Sequence, residues 1–183
     1  DGGRDWVNGF KNDARDTVVN VTKYAAGAAF RAAGALSCVY DTTDNLHIVW
    51  VAPIYSLGTL ASECRIFHWS AGTGIDEVAK GEYEVEDNQL YLGSFNICKP
   101  HIGVHDGSGT GGASGRQNYL YVTWMQQGGP DSISMADLSD NDLLNGEIYV
   151  TASTNSGNTW GAKVNITNTK SPGCDRNCES DVY

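Results

Sequence analysis

The sequence is poor in three features that would point to a membrane or to nucleic acid: long hydrophobic runs, basic residues and an apolar leader. Its longest apolar stretch, around residues 24–39, is mostly alanine and is interrupted by Arg31 and several glycines, so no membrane-spanning helix is expected. Lys and Arg total 12 against 22 Asp and Glu, for a formal net charge of −10. Such a surface repels phosphate groups. We therefore expect neither nucleic acid nor membrane insertion among its interactions.

Proline is also scarce, with four residues against 22 glycines, nine tyrosines and five tryptophans. Proline interrupts β-ladders, whereas aromatic residues favour strands and glycine favours tight turns. The composition therefore predicts many strands joined by short turns, in a chain long enough to bury a core. The first residues, 1–5, lack the chemistry of a signal peptide, so we expect a processed chain or a piece of a longer one.

The same order of strand patterns occurs twice along the chain. Alternating or near-continuous apolar runs predict four strands in each repeat, at 35–40, 46–53, 64–69 and 75–79, and then at 102–105, 119–126, 147–152 and 162–167. Repeated four-stranded antiparallel sheets are typical of propeller blades. The predicted fold is therefore all-β, a partial β-propeller with two full blades and two partial ones.

This interpretation divides the chain into five segments. Residues 1–16 are a linker or a loop from a preceding blade, 17–34 end one blade and connect it, 35–84 and 85–171 are the full blades, and 172–183 begin another. Two blades alone leave exposed edges, which favours a segment of a larger closed propeller. A small independent two-sheet sandwich is the alternative. The Ala/Gly-rich run at 24–34 fits either a helical turn or an inner strand.

The most informative motif lies in the second repeat, at residues 153–160. Its pattern is Ser-x-Asn-x-Gly-x-Thr-Trp, and it follows a strand pattern that ends at Ala152. Asn bonds readily to nearby backbone, and Gly accepts a positive φ. These residues predict a hairpin closed by an aromatic plug, formed by Ser153, Asn155, Gly157, Thr159 and Trp160.

The motif resembles the Asp-box of sialidase-like β-propellers, with Asn155 in the Asp position. The segments 44–50, 65–70 and 164–169 are similar to sequences of the same family of exported bacterial repeat proteins. The likeness covers roughly residues 17–183. It implies a secreted or cell-surface protein. It also implies that the Asp-box is a folding device, away from any central catalytic site.

The resemblance also implies where a sialidase would keep its catalytic groups. Such enzymes use an arginine triad, a Tyr–Glu nucleophile pair and an Asp acid/base, and the first Arg belongs to a Phe-Arg-Ile-Pro motif. Here Phe30 and Arg31 are followed by two alanines, so Ile-Pro is missing. Asp41 and Asp44 are candidates for the acid/base, although their surroundings predict a hairpin turn. The candidate catalytic residues are therefore Arg31, Asp41 and Asp44, without an assembled set.

Five cysteines and two glycosylation sequons bear on the compartment. Cys174 and Cys178 are predicted to close a small disulfide loop, which implies an oxidising environment. Cys64 and Cys98 are candidates for a second bridge, while Cys38 lies in an apolar strand pattern that predicts burial. The sequons place Asn20 and Asn165 as candidate glycosylation sites.

An acidic loop at 131–145 offers the remaining candidate site. Asp137, Asp140 and Asp142 supply the oxygen ligands that calcium prefers, although their spacing does not match an EF-hand. A solvated acidic loop is the competing interpretation. No other cofactor is expected.

The function predicted from these features is a non-enzymatic extracellular or cell-surface module, structural or adhesive in type. Its partner would be a protein or a glycan at the cell surface, or further copies of itself. One alternative is an exo-sialidase-like glycoside hydrolase with part of its catalytic set outside this segment. The other is a carbohydrate-binding module that uses exposed Trp or Tyr.

Overall fold

The computed structural model describes residues 20–22, 28–56, 59–81, 95–105, 118–127, 139–140, 145–169 and 171–175. In this part the chain is all-β, with eight strands and no helix. The strands are β1 (Leu36–Tyr40), β2 (Leu46–Ser56), β3 (Thr59–Ser70), β4 (Gly74–Lys80), β5 (Ile97–His105), β6 (Tyr119–Gln127), β7 (Gly146–Ser153) and β8 (Val164–Asn165). No helix of membrane-crossing length and apolarity occurs within these ranges.

The strands form two four-stranded antiparallel sheets, each with its strands in chain order. Sheet A contains β1–β4 and sheet B contains β5–β8, and the predicted all-β fold with two such sheets is confirmed. The two sheets fall within the predicted segments 35–84 and 85–171. Segment 1–16 lies outside the described residues, as do large parts of 17–34 and 172–183. The sheets do not close into a ring within the described ranges.

Several strand boundaries differ from the prediction. Strand β2 extends to Ser56 instead of residue 53, and β3 begins at Thr59 instead of residue 64. Strand β5 begins at Ile97 instead of residue 102, because a register shift between Cys98 and His101 accommodates Pro100. Strand β8 contains only Val164 and Asn165, much less than the predicted 162–167. The chain ahead of β8 instead belongs to the long turn that follows β7.

Residues 28–35 continue sheet A ahead of β1. Phe30 forms a bridge with Ile54, and the amide of Ala33 donates to the carbonyl of Val51 at 3.0 Å. The described part of the Ala/Gly-rich run, residues 28–34, is therefore extended along β2 without forming a strand of its own, and residues 24–27 lie outside the described residues.

The core lies between the two sheets. Sheet A contributes Val49, Val51 and Ile66, each at most 1% exposed, and sheet B contributes a second set that includes Leu120, Val122 and Trp124, also at most 1% exposed. Because side chains alternate along a strand, these residues define the inner face of each sheet. The opposite faces are called the outer faces of sheets A and B. Hydrogen bonds join the sheets as well: the amide of Cys64 donates to Asn96 Oδ1 at 3.1 Å and that of Ile102 to Ser37 Oγ at 3.3 Å.

The two sheets are equivalent units that stack head to tail. Asp44 and Asn118 each have φ 62°. The amide of Asp44 donates to the carbonyl of Asp41, just after β1, at 3.1 Å, and the amide of Asn118 donates to the carbonyl of His105, at the end of β5, at 2.9 Å. This match aligns Trp50 with Trp124, and both tryptophans pair across the sheet with an aromatic residue, Phe67 or Tyr149. Trp50 is on the outer face of sheet A, whereas Trp124 is in the core between the sheets. The outer face of sheet A is therefore the counterpart of the inner face of sheet B.

The cysteines depart from the prediction in two ways. Cys38 is exposed on the outer face of sheet A instead of buried, because the described chain leaves that face uncovered around β1. Cys64 and Cys98 are free thiols, so the candidate bridge between them is absent. Cys64 faces the core, whereas Cys98 alternates with the buried Ile97 and lies on the other side of sheet B. Burial raises the pKa of Cys98 to about 11, even though Lys99 acts in the opposite direction.

Candidate functional site

The turn at residues 153–160, named the Asp-box turn after the motif it resembles, is closed by its own side chains. Ser153 Oγ accepts from the amide of Gly157 and donates to Asn155 Oδ1, both at 2.9 Å. The same Asn155 oxygen accepts from the amide of Thr159 at 3.0 Å, and Asn155 Nδ2 donates to Thr159 Oγ1 at 2.9 Å. The motif therefore forms one local hydrogen-bonded unit. Asn155, at the Asp position of the motif, bonds within it through both its side-chain oxygen and its side-chain nitrogen.

Gly157 is the residue that brings this turn against sheet A. Ser156 and Gly157 both have positive φ, 57° and 90°. A Cβ atom on Gly157 would lie 2.2 Å from Cε1 of His68. The absence of a side chain thus serves both the left-handed backbone and the close approach to the histidine ring.

Trp160 completes the contact, as the predicted aromatic plug. Its ring meets the His68 ring edge to face, with centroids 5.4 Å apart and planes at 69°. Trp160 also packs against the core cluster between the sheets. The hairpin with an aromatic plug is confirmed, and its contact surface is the neighbouring sheet.

His68 belongs to a buried polar chain inside sheet A. His47 Nδ1 and His68 Nε2 lie 2.9 Å apart, and the two rings are stacked with centroids at 5.2 Å. His47 Nε2 lies 3.5 Å from Asp41 Oδ2. The two histidines are 1% and 0% exposed. The chain Asp41–His47–His68 therefore runs from the β1–β2 turn to the Asp-box turn without contact with solvent.

The carboxylate of Asp41 is occupied by its own turn. It accepts four hydrogen bonds, from the amide and hydroxyl of Thr43 and from the amide and side chain of Asn45. Burial alone would raise the pKa of Asp41, but these bonds from Asn45 and Thr43 together hold it far below its usual range. The predicted hairpin turn at residues 40–45 is confirmed, and Asp41 is its structural anchor.

His68 is kept neutral by its surroundings. Burial lowers the pKa of His68, and the nearby His47 lowers it further, to about 4. His68 Nδ1 has no hydrogen-bond partner within the described residues. A charged imidazolium is thus disfavoured at the contact with Gly157 and Trp160.

The sialidase-type candidates are not brought together. The Arg31 amide donates to the carbonyl of Pro53, whereas the Asp41 amide donates to the carbonyl of Asn45. The extended chain of β2 from Asn45 to Pro53 spans roughly 25 Å. Arg31 and Asp41 therefore lie at opposite ends of sheet A, and no single sugar ring would reach both. Asp44 is an exposed turn residue with positive φ.

The other predicted sites are described only in part. Asp137 and Asp142 lie outside the described residues, and Asp140 is exposed with its amide donating to the carbonyl of Cys174 at 2.8 Å. Cys178 also lies outside, so the bridge from Cys174 stays a prediction. In the described ranges, no three His, Cys, Asp or Glu side chains cluster as metal ligands.

Both sequons form turns around the asparagine oxygen. The amide and hydroxyl of Thr22 donate to Asn20 Oδ1 at 3.1 and 2.9 Å, and the amide of Asn168 donates to Asn165 Oδ1 at 2.9 Å. Asn20 is exposed and Asn165 half-buried. Glycosylation at either residue stays a prediction.

Sequence reasoning missed the histidine pair. His47 and His68 occupy inward-facing positions of two adjacent strands and alternate with outward-facing residues. The available signal was a polar residue at an inward position in two adjacent strands, which calls for a partner in the core.

Comparison with known proteins adds no relative: no protein-family model matches the chain, and no curated protein matches it. The likeness to sialidase-like repeats rests on the residues of the motif and on the strand order.

A pair of substitutions at Asn155 tests the role of the turn. Asn155→Ala removes the acceptor and donor that join Ser153 to Thr159, and we expect it to lower the free energy of unfolding by about 1–3 kcal/mol. Asn155→Asp keeps the acceptor, and the Thr159 hydroxyl is free to donate instead, so we expect a change below about 1 kcal/mol. Urea denaturation of both variants measures this. Equal losses would contradict the assigned role of the Asn155 side chain.

Proposed function

We propose that this chain is a non-enzymatic interaction module, structural or adhesive in type, that acts outside the cell on a sialidase-like propeller scaffold. The observation that carries the proposal is that the candidate catalytic groups are engaged in structural hydrogen bonds or lie far apart. Asp41, one of the two candidates for the acid/base, is buried and accepts four hydrogen bonds from Thr43 and Asn45. Arg31 is exposed at the other end of the same sheet.

The propeller interpretation is supported by the way the sheets stack. Successive blades of a propeller present unlike faces to each other, as sheets A and B do, whereas a sandwich of two equivalent sheets would bring like faces together. The Asp-box lies between the third and fourth strands of sheet B, and its turn contacts sheet A. Segments 35–84 and 85–171 are the blades in this proposal.

The extracellular location and the partner are proposed from surface chemistry. The two sequons and the Cys174–Cys178 pair fit an exported protein, and the net charge of −10 suits solubility outside the cell. Leu36 and Tyr40, 67% and 63% exposed, provide apolar contact area on sheet A. A protein or glycan at the cell surface, or another copy of this chain, is the partner class.

Hydrolysis assays separate the proposal from the glycosidase alternative. We expect the chain to release no fluorophore from umbelliferyl α-sialosides or neutral umbelliferyl glycosides above the buffer rate. Turnover that decreases in an Arg31→Ala variant would contradict the proposal, and Arg31 suits this test because it is exposed. Glycan-array binding that is lost in Tyr40→Ala, without turnover, would instead favour the carbohydrate-binding alternative.

A further inference from the structure

The outer face of sheet A is an apolar surface that the described chain leaves largely uncovered. Leu36, Cys38 and Tyr40 point outward from β1, and Ile75 of β4 is 39% exposed on the same side. Half-buried apolar residues of β2 and β3 lie between them, namely Leu46, Ile48, Phe67 and Trp69. Exposed apolar surfaces of this kind usually mark contacts with another protein surface.

The structure shows what covers the same positions in sheet B. The register aligns Cys38 with Ile102 and Tyr40 with Val104, because their partners in the next strand, Ile48 and Leu46, align with Val122 and Leu120. Ile102 is 8% exposed, and Val104 packs against the core. These positions are buried in sheet B because the inner face of sheet A covers them.

The opposite end of the stack has the complementary surface. The outer face of sheet B is the counterpart of the inner face of sheet A, and its part around β8 is also exposed. Val164 and Ile166 are 56% and 55% exposed, and Tyr121 and Val150 beside them are half-buried. The chain thus carries, at its two outer faces, both partners of the contact that it already makes internally.

We propose that the outer face of sheet A binds the outer face of sheet B of a second copy of this chain, so that copies associate head to tail. The contact repeats the stacking of sheets A and B within one chain. Head-to-tail contacts close into rings when the rotation between neighbours permits it and otherwise extend. This inference rests on the proposed interaction role and identifies its partner as the chain itself.

The first test is the mass of the chain in solution, by light scattering and sedimentation velocity across a wide concentration range at physiological salt. We expect multiples of 19.6 kDa that increase with concentration. A chain that stays at 19.6 kDa throughout would overturn the proposal and leave these faces to a further sheet of a longer polypeptide or to another protein.

Charged substitutions identify the surfaces. Tyr40→Asp on sheet A and Val164→Asp on sheet B should each raise the dissociation constant at least about tenfold, because each buries an unpaired charge in the contact. Ala71→Asp, in the exposed β3–β4 turn, is the matched control and should associate like the parent chain. Circular dichroism and a melting curve confirm that each variant is folded. Unchanged association of both face variants would contradict the assigned surfaces.

A mixing experiment tests the head-to-tail order. Tyr40→Asp retains an intact outer face on sheet B, and Val164→Asp retains one on sheet A. The mixture should therefore form a pair that neither variant forms alone, and the pair should not grow further. Association through like faces predicts no such pair, so its absence would overturn the order. Glycosidase turnover, by contrast, would overturn the proposed function whatever the mass.

Discussion

Gly157→Ala is expected to lower the free energy of unfolding by about 3 kcal/mol or more, the largest effect of any single methyl group that we foresee in this chain. The substitution forces alanine into φ 90° and places its Cβ 2.2 Å from Cε1 of His68. The left-handed backbone alone costs about 1–2 kcal/mol, and overpacking a filled site adds typically 1–3 kcal/mol. The His68 ring has no room to retreat, because His47 holds its other side.

Gly74→Ala is the matched control for this prediction. Gly74 also has positive φ, 76°, but a Cβ there would meet nothing within 4 Å. The control therefore measures the backbone cost alone. Urea denaturation of both variants should show a clearly larger loss for Gly157, which in a chain of this size corresponds to a melting temperature lower by roughly 6–12 °C. Equal losses would mean that the Asp-box turn does not depend on its contact with His68.

The sequence was sufficient to predict the local structure of the fold. Strand positions in both sheets follow from alternation and turn residues, and the hairpin at 153–160 follows from the motif. The order of strands within each sheet also follows, because short connections favour antiparallel neighbours. These features depend on residues close together in the chain, which is why they were predictable.

The long-range relations were not predictable in the same way. The structure aligns Tyr40 with Val104, although the neighbouring Val39 is the residue of matching type. A shift of one residue exchanges the two faces of a strand. This register decides whether the sheets meet through like or unlike faces. The strand patterns in the sequence do not specify the register.

The candidate site shows the same division. The turn around Asp41 was expected from its own sequence, but its bond to His47 and the contact of His68 with Gly157 join distant segments. The sialidase resemblance made Arg31 and Asp41 candidates for catalysis, without an assembled set. The antiparallel course of β1 and β2 places them at opposite ends of sheet A.

These contacts give the Asp-box a function in joining the two sheets. The turn belongs to sheet B, yet its glycine and tryptophan pack on a histidine of sheet A. Lys163, just beyond the turn, extends the connection by donating to the carbonyl of Lys80 in β4 of sheet A at 3.4 Å. The motif therefore fixes how one sheet sits on the next, which is the property that an assembly of stacked sheets requires.

Lowering the pH is expected to reduce the free energy of unfolding already above the pH range in which ordinary carboxylates titrate. The pKa of His68 is about 4 in the folded chain, against 6.5 for an ordinary histidine. Between these values the unfolded chain binds the extra proton, so stability is full above pH 6.5 and falls as the pH decreases towards 4. The total loss is about 3 kcal/mol. Below that range Asp41 adds to the loss in the same direction, because its folded pKa lies far below the ordinary value.

His68→Gln tests the origin of this acid sensitivity. Glutamine retains hydrogen-bonding groups but does not titrate, so the variant should lose most of the pH dependence between 6.5 and 4 even if it is less stable at neutral pH. Asp41, which contacts His47, and Asp76, the cross-strand neighbour of His68 on β4, both remain in the variant. His101→Gln, at an exposed position of β5, is the control and should leave the dependence unchanged. Urea denaturation at four pH values, at a protein concentration low enough to avoid association, gives the slopes. A slope that persists in His68→Gln would show that the acid sensitivity arises elsewhere and that His68 is not the group that links the Asp-box contact to pH.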